Sequence, residues 1–258
     1  MRLPCLLTCL FAAFSSANVH AGALPTNSPS GLVVVDGDEY PLVFEMDEES
    51  GLWGLNFSVD VPNEYRISMT GVVDPDPSIS YGLAVTDFGA PSSFGFTISS
   101  PIVSVTAPTQ VIASIDGGLN DFTGNGVSIT PTLADADGDG PAEVQVASAG
   151  LPLENMGVDV GLAASFGAGP AGAQHVYGPY STPISTGPSN GPYTTLQVDV
   201  GFMLSGGGDI AALTGHAEIA EEGGIVPEPS SLALAGLALA MLAGIRYRRI
   251  GNRTSPTA

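Results

Sequence analysis

The segment from Trp53 to Val61, which reads Trp-Gly-Leu-Asn-Phe-Ser-Val-Asp-Val, decides the fold of this chain. Apolar residues alternate in it with small or polar ones, which is typical of a β-strand that has one buried face and one wet face. Pro62-Asn63-Glu64 follows as a turn, and the same period continues from Tyr65 to Val73. The pattern therefore predicts an antiparallel hairpin.

The same period returns before the C-terminal segment. Leu196 to Leu204 alternates, Gly206-Gly207-Gly208 supplies turn residues, and Ile210 to Ile219 alternates again. This arrangement predicts a second hairpin at the end of the body.

Shorter apolar runs lie between these two predicted hairpins, with turn residues about every ten positions, and no helical stripe interrupts them. We therefore predict an all-β body over residues 24–225, built as an antiparallel β-sandwich or a jelly-roll-like fold. Residues 166–192, rich in Gly and Pro, are predicted to form a long loop or a seam between two smaller units. The shorter predicted strands are Ile79 to Val85, Phe94 to Ile98, Ile102 to Val105, Val111 to Ile115, Val127 to Ile129, Val144 to Val146 and Val158 to Leu162.

Residues 1–23 are predicted to be a cleavable signal peptide. Arg2 gives a weak positive region, Leu3 to Phe14 is apolar, and small residues place the signal-peptidase site after residue 21 or after residue 23. Cys5 and Cys9 are the two cysteines of the chain and both lie here. The exported body is therefore predicted to hold no disulfide, cysteine nucleophile or thiolate metal site.

The C-terminal segment has three parts in fixed order. A Pro-Glu-Pro motif at 227–229 is followed by an apolar run over 231–245 and then by a basic cluster. As a helix this run would span about 22 Å, against about 30 Å for a hydrocarbon core, so it predicts a short transmembrane helix. Basic residues favour the cytoplasmic side, which makes 251–258 a cytoplasmic tail and places the body outside. The residues of the motif and the cluster are Pro227, Glu228, Pro229, Arg246, Arg248 and Arg249.

This tripartite segment, residues 226–250, resembles the PEP-CTERM sorting signal of Gram-negative bacteria. The resemblance implies that an exosortase, an integral membrane transpeptidase-like protease, recognises the Pro-Glu-Pro motif and cuts near it. It also implies transient attachment to the inner membrane, followed by a place in the cell envelope, at the surface or outside the cell. The resemblance does not extend to the exported body and implies no activity for it.

The body is strongly acidic. It holds 25 of the 26 acidic residues and one of the six arginines, Arg66, which gives it a net charge of about −24. Such a surface repels nucleic acid, anionic lipid and acidic polysaccharide unless cations intervene. We therefore predict no nucleic-acid partner, and contact with surface polysaccharide only through divalent cations. Solubility alone explains the same charge equally well.

The segment from Asp135 to Glu143, here called the acidic loop, carries the strongest ligand pattern. Carboxylates at positions 1, 3 and 5, a glycine at 6, a carbonyl at 7 and an acid at 9 match most of an EF-hand Ca²⁺ loop. Position 12 is Val146, so the bidentate glutamate is absent, and the loop resembles instead the Asp-rich loops that precede strands in the FG-GAP repeats of integrin-like propellers. The predicted ligands are Asp135, Asp137, Asp139, Pro141 and Glu143.

The alternative for the acidic loop is an Asp-Gly turn without metal. If it binds Ca²⁺, the expected dissociation constant is in the extracellular range of about 10⁻⁴ to 10⁻³ M. Ca²⁺ is the one cofactor that we predict.

Two glycine-rich stretches match catalytic signatures without their structural context. Residues 167–172 fit a dinucleotide fingerprint and residues 187–191 a nucleophile elbow, but Pro179 and Pro192 oppose the helix that each motif requires. His216 and Glu218 are predicted to share one face of a strand, although a metal site would need a third ligand. We therefore predict no catalytic residue.

Two function classes agree with these features. The first is a non-enzymatic protein of the cell surface or extracellular matrix, of the kind found in biofilms, with a structural or adhesive role. The alternative is a secreted hydrolase or carbohydrate-binding module on the same scaffold. Because Trp53 is the single tryptophan, a sugar-stacking platform would have to use Tyr177, Tyr180 and Tyr193.

Overall fold

The computed structural model of the chain describes residues 27–135 and 140–223. The predicted signal peptide, sorting signal, transmembrane helix and cytoplasmic tail lie outside these ranges, as do Asp137 and Asp139. Within these two ranges, no helix is long and apolar enough to cross a membrane.

Regular structure in the two described ranges consists of β-strands, which confirms the all-β prediction. The strands are β1 (Ser30–Val35), β2 (Asp38–Pro41), β3 (Phe44–Met46), β4 (Trp53–Val61), β5 (Tyr65–Asp74), β6 (Ser78–Asp87), β7 (Ser92–Val105), β8 (Thr109–Asp121), β9 (Val127–Pro131), β10 (Gln145–Ala149), β11 (Glu154–Asn155), β12 (Ala164–Phe166), β13 (Ala173–Ser181), β14 (Ser185–Thr186), β15 (Tyr193–Leu204) and β16 (Asp209–Glu221).

The strands form two antiparallel sheets of eight strands each. The first sheet has the order β11-β10-β15-β7-β1-β2, with β9 paired to β15 and β12 paired to β9. The second has the order β13-β8-β16-β6-β5-β4-β3, with β14 paired to β8. Sequence neighbours pair in the second sheet only from β3 to β6, and β15 enters the first sheet between β10 and β7 from far along the chain.

The two sheets share one hydrophobic core. Every second residue of the long strands points into it, as the period in the sequence requires. Tyr65 of the second sheet meets Phe94 of the first edge to face, with ring centroids 6.2 Å apart, and Phe94 lies 5.8 Å from Phe202. The contact between Tyr65 and Phe94 therefore joins the two sheets across the core.

The first predicted hairpin is confirmed. β4 and β5 pair from Trp53 with Val73 to Val61 with Tyr65, and the turn at 62–64 lies where the sequence places it. Asn63 has a φ of 66°, and the Glu64 N–H donates to the carbonyl of Val61 at 3.1 Å. A residue that tolerates the left-handed region thus closes this turn.

The second predicted hairpin is wrong. β15 lies in the first sheet and β16 in the second, where β16 pairs with β6 and β8. Gly206, Gly207 and Gly208 all have positive φ and carry the chain across the core from one sheet to the other. Period-2 alternation shows that each strand has one buried face but does not identify its neighbour, because two strands facing each other across a core alternate identically.

Three other predicted segments differ in extent. The two runs between Phe94 and Val105 join into one strand, β7, and Val158 to Leu162 contributes only an isolated bridge between Val160 and Gln145. The stretch 166–192, predicted as a loop or seam, carries β13 and β14, which pair with β8 at the edge of the second sheet. The glycines and prolines of the stretch 166–192 lie between or beside its short paired segments.

Candidate functional site

The acidic loop leaves the end of β9 and returns to the start of β10, and both of its ends meet at one residue of β15. The Thr132 N–H donates to the carbonyl of Gly201 at 3.1 Å, and the Gly201 N–H donates to the carbonyl of Val144 at 2.8 Å. The backbone of Gly201 therefore joins the two chain segments on either side of the acidic loop. The predicted ligands of the acidic loop lie between these two points in the sequence.

A glycine at position 201 allows this closure. A Cβ there would come within 2.7 Å of Leu133 Cδ2 and 2.9 Å of Thr132 Oγ1, so a side chain would push the outgoing limb of the loop away from β15. The returning limb is fixed from the other side, where the N–H of buried Val144 donates to the carbonyl of Gly161 at 2.7 Å.

The structure places three of the five predicted ligands. Asp135 and Pro141 are exposed and Glu143 is half-buried, while Asp137 and Asp139 lie outside the described residues. Burial raises the pKa of the Tyr177 hydroxyl, and the charges of Tyr180 and then Glu143 add to this shift, so Glu143 faces the Tyr177 side of the body. Among the residues described, no group of three or more histidine, cysteine or acidic side chains has the geometry of a metal site.

Strands rather than helices flank the acidic loop. β10 begins at Gln145, two residues after Glu143, so the loop leads directly into a strand, as in the Asp-rich loops that it resembles in sequence. The Ca²⁺ site remains a prediction from sequence.

The predicted pair His216 and Glu218 does lie on one face of β16. Nε2 of His216 is 3.5 Å from Oε2 of Glu218, and Nδ1 of His216 lies 2.9 Å from the hydroxyl of Ser80. The other body histidine, His175, stacks on Phe166 with ring centroids 4.2 Å apart. His216 thus has a polar neighbour at each ring nitrogen, whereas the buried Nε2 of His175 has no hydrogen-bond partner among the described residues.

The tyrosines proposed for a sugar-stacking platform do not form one. Tyr177 and Tyr193 are buried, and Tyr180 packs against the core. Their hydroxyls bond within the body: Tyr177 donates to the carbonyl of Leu162 at 2.9 Å and Tyr193 to Glu154 at 2.7 Å. This contradicts the platform because the rings of Tyr177 and Tyr193 are not accessible to a ligand.

Sequence reasoning missed a row of buried aspartates at one end of the second sheet. Asp87 and Asp209 are register partners on β6 and β16, and Asp121 ends the neighbouring strand β8. All three are buried. Backbone N–H groups of Gly124 and Gly126 donate to Asp121, and those of the loop after β6 donate to Asp87.

Asp209 lies in the middle of this row, and one of its two carboxylate oxygens lacks a donor within the two described ranges. Its Oδ2 accepts a hydrogen bond from the Ser205 hydroxyl at 2.5 Å, while its buried Oδ1 has no hydrogen-bond partner in the part of the chain that the structure describes. Burial raises the pKa of Asp209 and the charge of Asp121 adds to the rise, while hydrogen bonds from the Ser205 hydroxyl and the Phe122 backbone N–H oppose it. Burial likewise raises the pKa of Asp87.

These raised pKa values predict that the body is more stable in mild acid than at neutral pH. A carboxyl whose folded pKa is above its unfolded value, near 3.9, favours folding below that value and loses this contribution as pH rises through the folded pKa. Thermal unfolding followed between pH 4 and 8, as approximate limits of that window, should show a falling melting temperature as pH rises.

The variant Asp209→Asn tests the origin of this slope. It removes a proton-binding group from the row, so we expect a flatter dependence on pH and higher stability than wild type at neutral pH. Glu48→Gln is the matched control because Glu48 is exposed and its replacement removes the same formal charge. If both variants flatten the curve equally, general charge repulsion rather than the buried row causes the slope.

The C-terminal residues lie beyond the last strand, and their sequence identifies them. Residues 226–249 match the PEP-CTERM protein-sorting motif. No curated protein matches the chain. The motif confirms the sequence resemblance, and it implies an exosortase as processing partner and export to the envelope or surface of a Gram-negative bacterium.

Proposed function

We propose that this exported protein is a non-enzymatic component of the cell surface or extracellular matrix, with a structural or adhesive role. The PEP-CTERM motif at residues 226–249 carries the proposal, because it makes the two-sheet body the part delivered outside the inner membrane. β16 ends at Glu221, five residues before the motif begins, so the last strand of the body lies next to the processing signal in the sequence.

Ca²⁺ binding by the acidic loop is the chemistry that we propose for this role. Ca²⁺ held by Asp135, Asp137, Asp139, the Pro141 carbonyl and Glu143 would bridge the acidic body to acidic polysaccharide or to neighbouring proteins. Closure of the loop at Gly201 supports this, since ligands on a loop whose ends are already joined lose less conformational entropy on binding. The net charge of the body also favours retention of divalent cations near its surface.

Cleavage of the C-terminal segment by exosortase tests the proposed sorting function. Expressed with a matching exosortase, wild-type protein should lose residues 232–258, and Glu228→Ala should leave an uncut, membrane-bound form because the central residue of the Pro-Glu-Pro motif is gone. Intact-mass spectrometry of the two forms measures the outcome.

A second variant tests the basic cluster. It combines Arg246→Gln, Arg248→Gln and Arg249→Gln in one chain. Loss of the basic cluster should also prevent processing, since it removes the signal that orients the apolar segment across the membrane. Replacing Glu222, which lies outside the motif, by Gln should leave processing intact. A wild-type mass that retains the whole C-terminal segment in this host would contradict the sorting role.

Calcium should stabilise the body specifically. Carboxylates that converge in the acidic loop repel each other, and Ca²⁺ removes this repulsion while binding the folded state only. At about 100-fold excess over the dissociation constant, the expected gain in unfolding free energy is about 2.7 kcal/mol. Thermal unfolding in millimolar CaCl₂ measures it, against NaCl of the same ionic strength.

Asp137→Ala distinguishes Ca²⁺ binding by the acidic loop from a general effect of cations on the acidic surface. It should abolish the Ca²⁺-specific rise in melting temperature and leave the response to NaCl unchanged, because ionic strength acts on all surface charges together. Glu48→Ala, at an exposed position outside the acidic loop, should keep both responses. Equal responses of wild type to the two salts would show that the acidic loop is a turn without a metal.

A further inference from the structure

The chain leaves the body for the sorting motif from one end of the two sheets. At the end of β16 the Glu222 N–H donates to the carbonyl of Pro108 at 2.8 Å, and the side chain of Glu221 accepts from the Thr106 N–H at 3.1 Å. Eight residues lie between Glu222 and Ser231, where the predicted apolar run begins, so nine Cα–Cα steps join the two. Fully extended, they reach at most about 32 Å, so before cleavage this end of the body stays close to the bilayer.

Three loops meet at this end, here called the exit end. They are residues 105–109 between β7 and β8, residues 149–154 between β10 and β11, and residues 186–193 before β15. Tyr193 is the register partner of Val105, and the Gly150 N–H donates to the carbonyl of Thr195 at 2.9 Å. The three loops are therefore tied to one another and to the last turn of chain before the sorting motif.

The middle loop presents apolar side chains to the outside. Leu151 is 81% exposed, the largest value for any large hydrophobic side chain within the described ranges, and Leu153 is 41% exposed. Gly150 lies against the ring of buried Tyr193, and the Tyr193 hydroxyl donates to Glu154 at 2.7 Å. The loop is thus fixed at both of its ends, and the two leucines project between these fixed points.

Several carboxylates at the exit end are engaged by donors of the body itself. Glu154 accepts hydrogen bonds from Tyr193 and Asn190, Glu221 accepts from the Thr106 N–H, and Asp74 accepts from the Asp76 N–H at 2.9 Å. These three carboxylates are therefore hydrogen-bonded to groups of the body. The net negative charge of the body still disfavours anionic lipid, so an uncharged or zwitterionic surface is the better match.

We propose that Leu151 and Leu153 rest on the bilayer while the C-terminal segment is still attached, so that the exit end faces the membrane. Two exposed leucines on a fixed loop, held by a short tether beside a bilayer, bury apolar area at the interface without any change in the fold. This inference rests on the proposed sorting function, because the tether is the sorting segment.

Single-cysteine labelling of the uncut chain tests it. After signal-peptide removal the chain is predicted to hold no cysteine, so Leu151→Cys carries an environment-sensitive fluorophore at one defined position. Phe122→Cys is the matched control: Phe122 is 62% exposed, and it follows β8, whose 13 residues span about 40 Å from the exit end.

Both labelled chains are reconstituted into phosphatidylcholine vesicles with brominated acyl chains. We expect emission from position 151 to fall at least about twofold and emission from position 122 to stay unchanged, because bromine quenches only probes at the depth of an interfacial contact. Equal emission changes at the two positions would overturn the inference. Quenching at position 151 that requires added exosortase would also overturn it and would identify the protease as the partner.

Intact mass of the same samples separates this inference from the sorting function. If exosortase removes the C-terminal segment while position 151 was never quenched, sorting holds and the membrane contact is wrong. If position 151 is quenched and exosortase leaves the chain uncut, the contact holds and the sorting function fails. Since Leu151 and Phe122 are both exposed, each replacement should leave the melting temperature close to that of wild type, which checks that both labelled chains are folded.

Discussion

Replacing Gly215 with alanine is expected to destabilise the body by about 3 kcal/mol or more, a large effect for the addition of one methyl group. Gly215 lies on the core face of β16 directly opposite Tyr81 of β6. A Cβ at this position would overlap Cζ, Cε1 and the hydroxyl oxygen of the Tyr81 ring.

The Tyr81 ring has no room to move aside. It is buried, and its hydroxyl donates to Oε1 of Gln145 in the opposite sheet at 2.7 Å. Relief of the overlap would therefore either break this hydrogen bond or shift two β-strands, and both cost free energy in a close-packed core.

Gly82→Ala is the matched control for this prediction. Gly82 adjoins Tyr81 on β6 but faces outward, and a Cβ there would meet Thr70 Oγ1 at 3.5 Å and Thr214 Cγ2 at 3.9 Å, which are ordinary contacts. It should be neutral or stabilise by about 0.5–1 kcal/mol, because alanine fits a strand interior better than glycine. Urea unfolding of both variants measures the difference, and equal stabilities would contradict the packing of Tyr81 on Gly215.

The strands that the sequence predicts best are those in which core-facing residues are large. β4 and β5 carry large apolar residues at alternate positions from Trp53 to Met69, and their turn contains residues suited to it, so local information is enough to define that hairpin. The same local information misassigns β15 and β16. Gly206 to Gly208 can turn a chain within a sheet or between sheets, and only the packing of distant strands decides which occurs.

The edge strand β13 shows a second limit. Its sequence around Gly178 and Pro179 contains residues that usually interrupt strands, and its register with β8 does shift between Tyr177 and Tyr180. Tyr177 nevertheless enters the core and Val176 stays exposed, so the strand is defined by its fit against β8 rather than by propensity.

The acidic loop illustrates the limit for the candidate site. The spacing of its carboxylates is readable from the sequence, but its closure at Gly201 depends on a strand more than fifty residues away. The sequence contains a weak local signal for two of the buried aspartates, Asp87 and Asp209. Asp87 continues the core-facing positions of Leu83 and Val85, and Asp209 precedes Ala211 and Leu213 in the same way. An aspartate in phase with a buried apolar series therefore predicts a buried carboxylate, although the phase does not give its partners.

Gln145→Leu is expected to destabilise the body by about 2–4 kcal/mol although leucine has nearly the volume of glutamine. Gln145 is fully buried at the start of β10, and its amide spans the gap between the sheets. Oε1 accepts from the Tyr81 hydroxyl, and Nε2 donates to the carbonyl of His216 at 3.1 Å. Leucine leaves the Tyr81 hydroxyl without an acceptor inside the core, and an unsatisfied buried hydroxyl costs more than the hydrogen bond itself contributed.

Combining Gln145→Leu with Tyr81→Phe distinguishes this polar cause from a packing defect. Tyr81→Phe alone leaves the Gln145 amide oxygen unsatisfied, but in the double variant both polar groups are gone, so its loss of stability should be smaller than the sum of the single losses by about 1 kcal/mol or more. Gln174→Leu, on the exposed face of β13, should change stability by less than about 0.5 kcal/mol. Strict additivity in the cycle would show that Tyr81 and Gln145 act independently, and the hydrogen bond across the core would then not join the two sheets energetically.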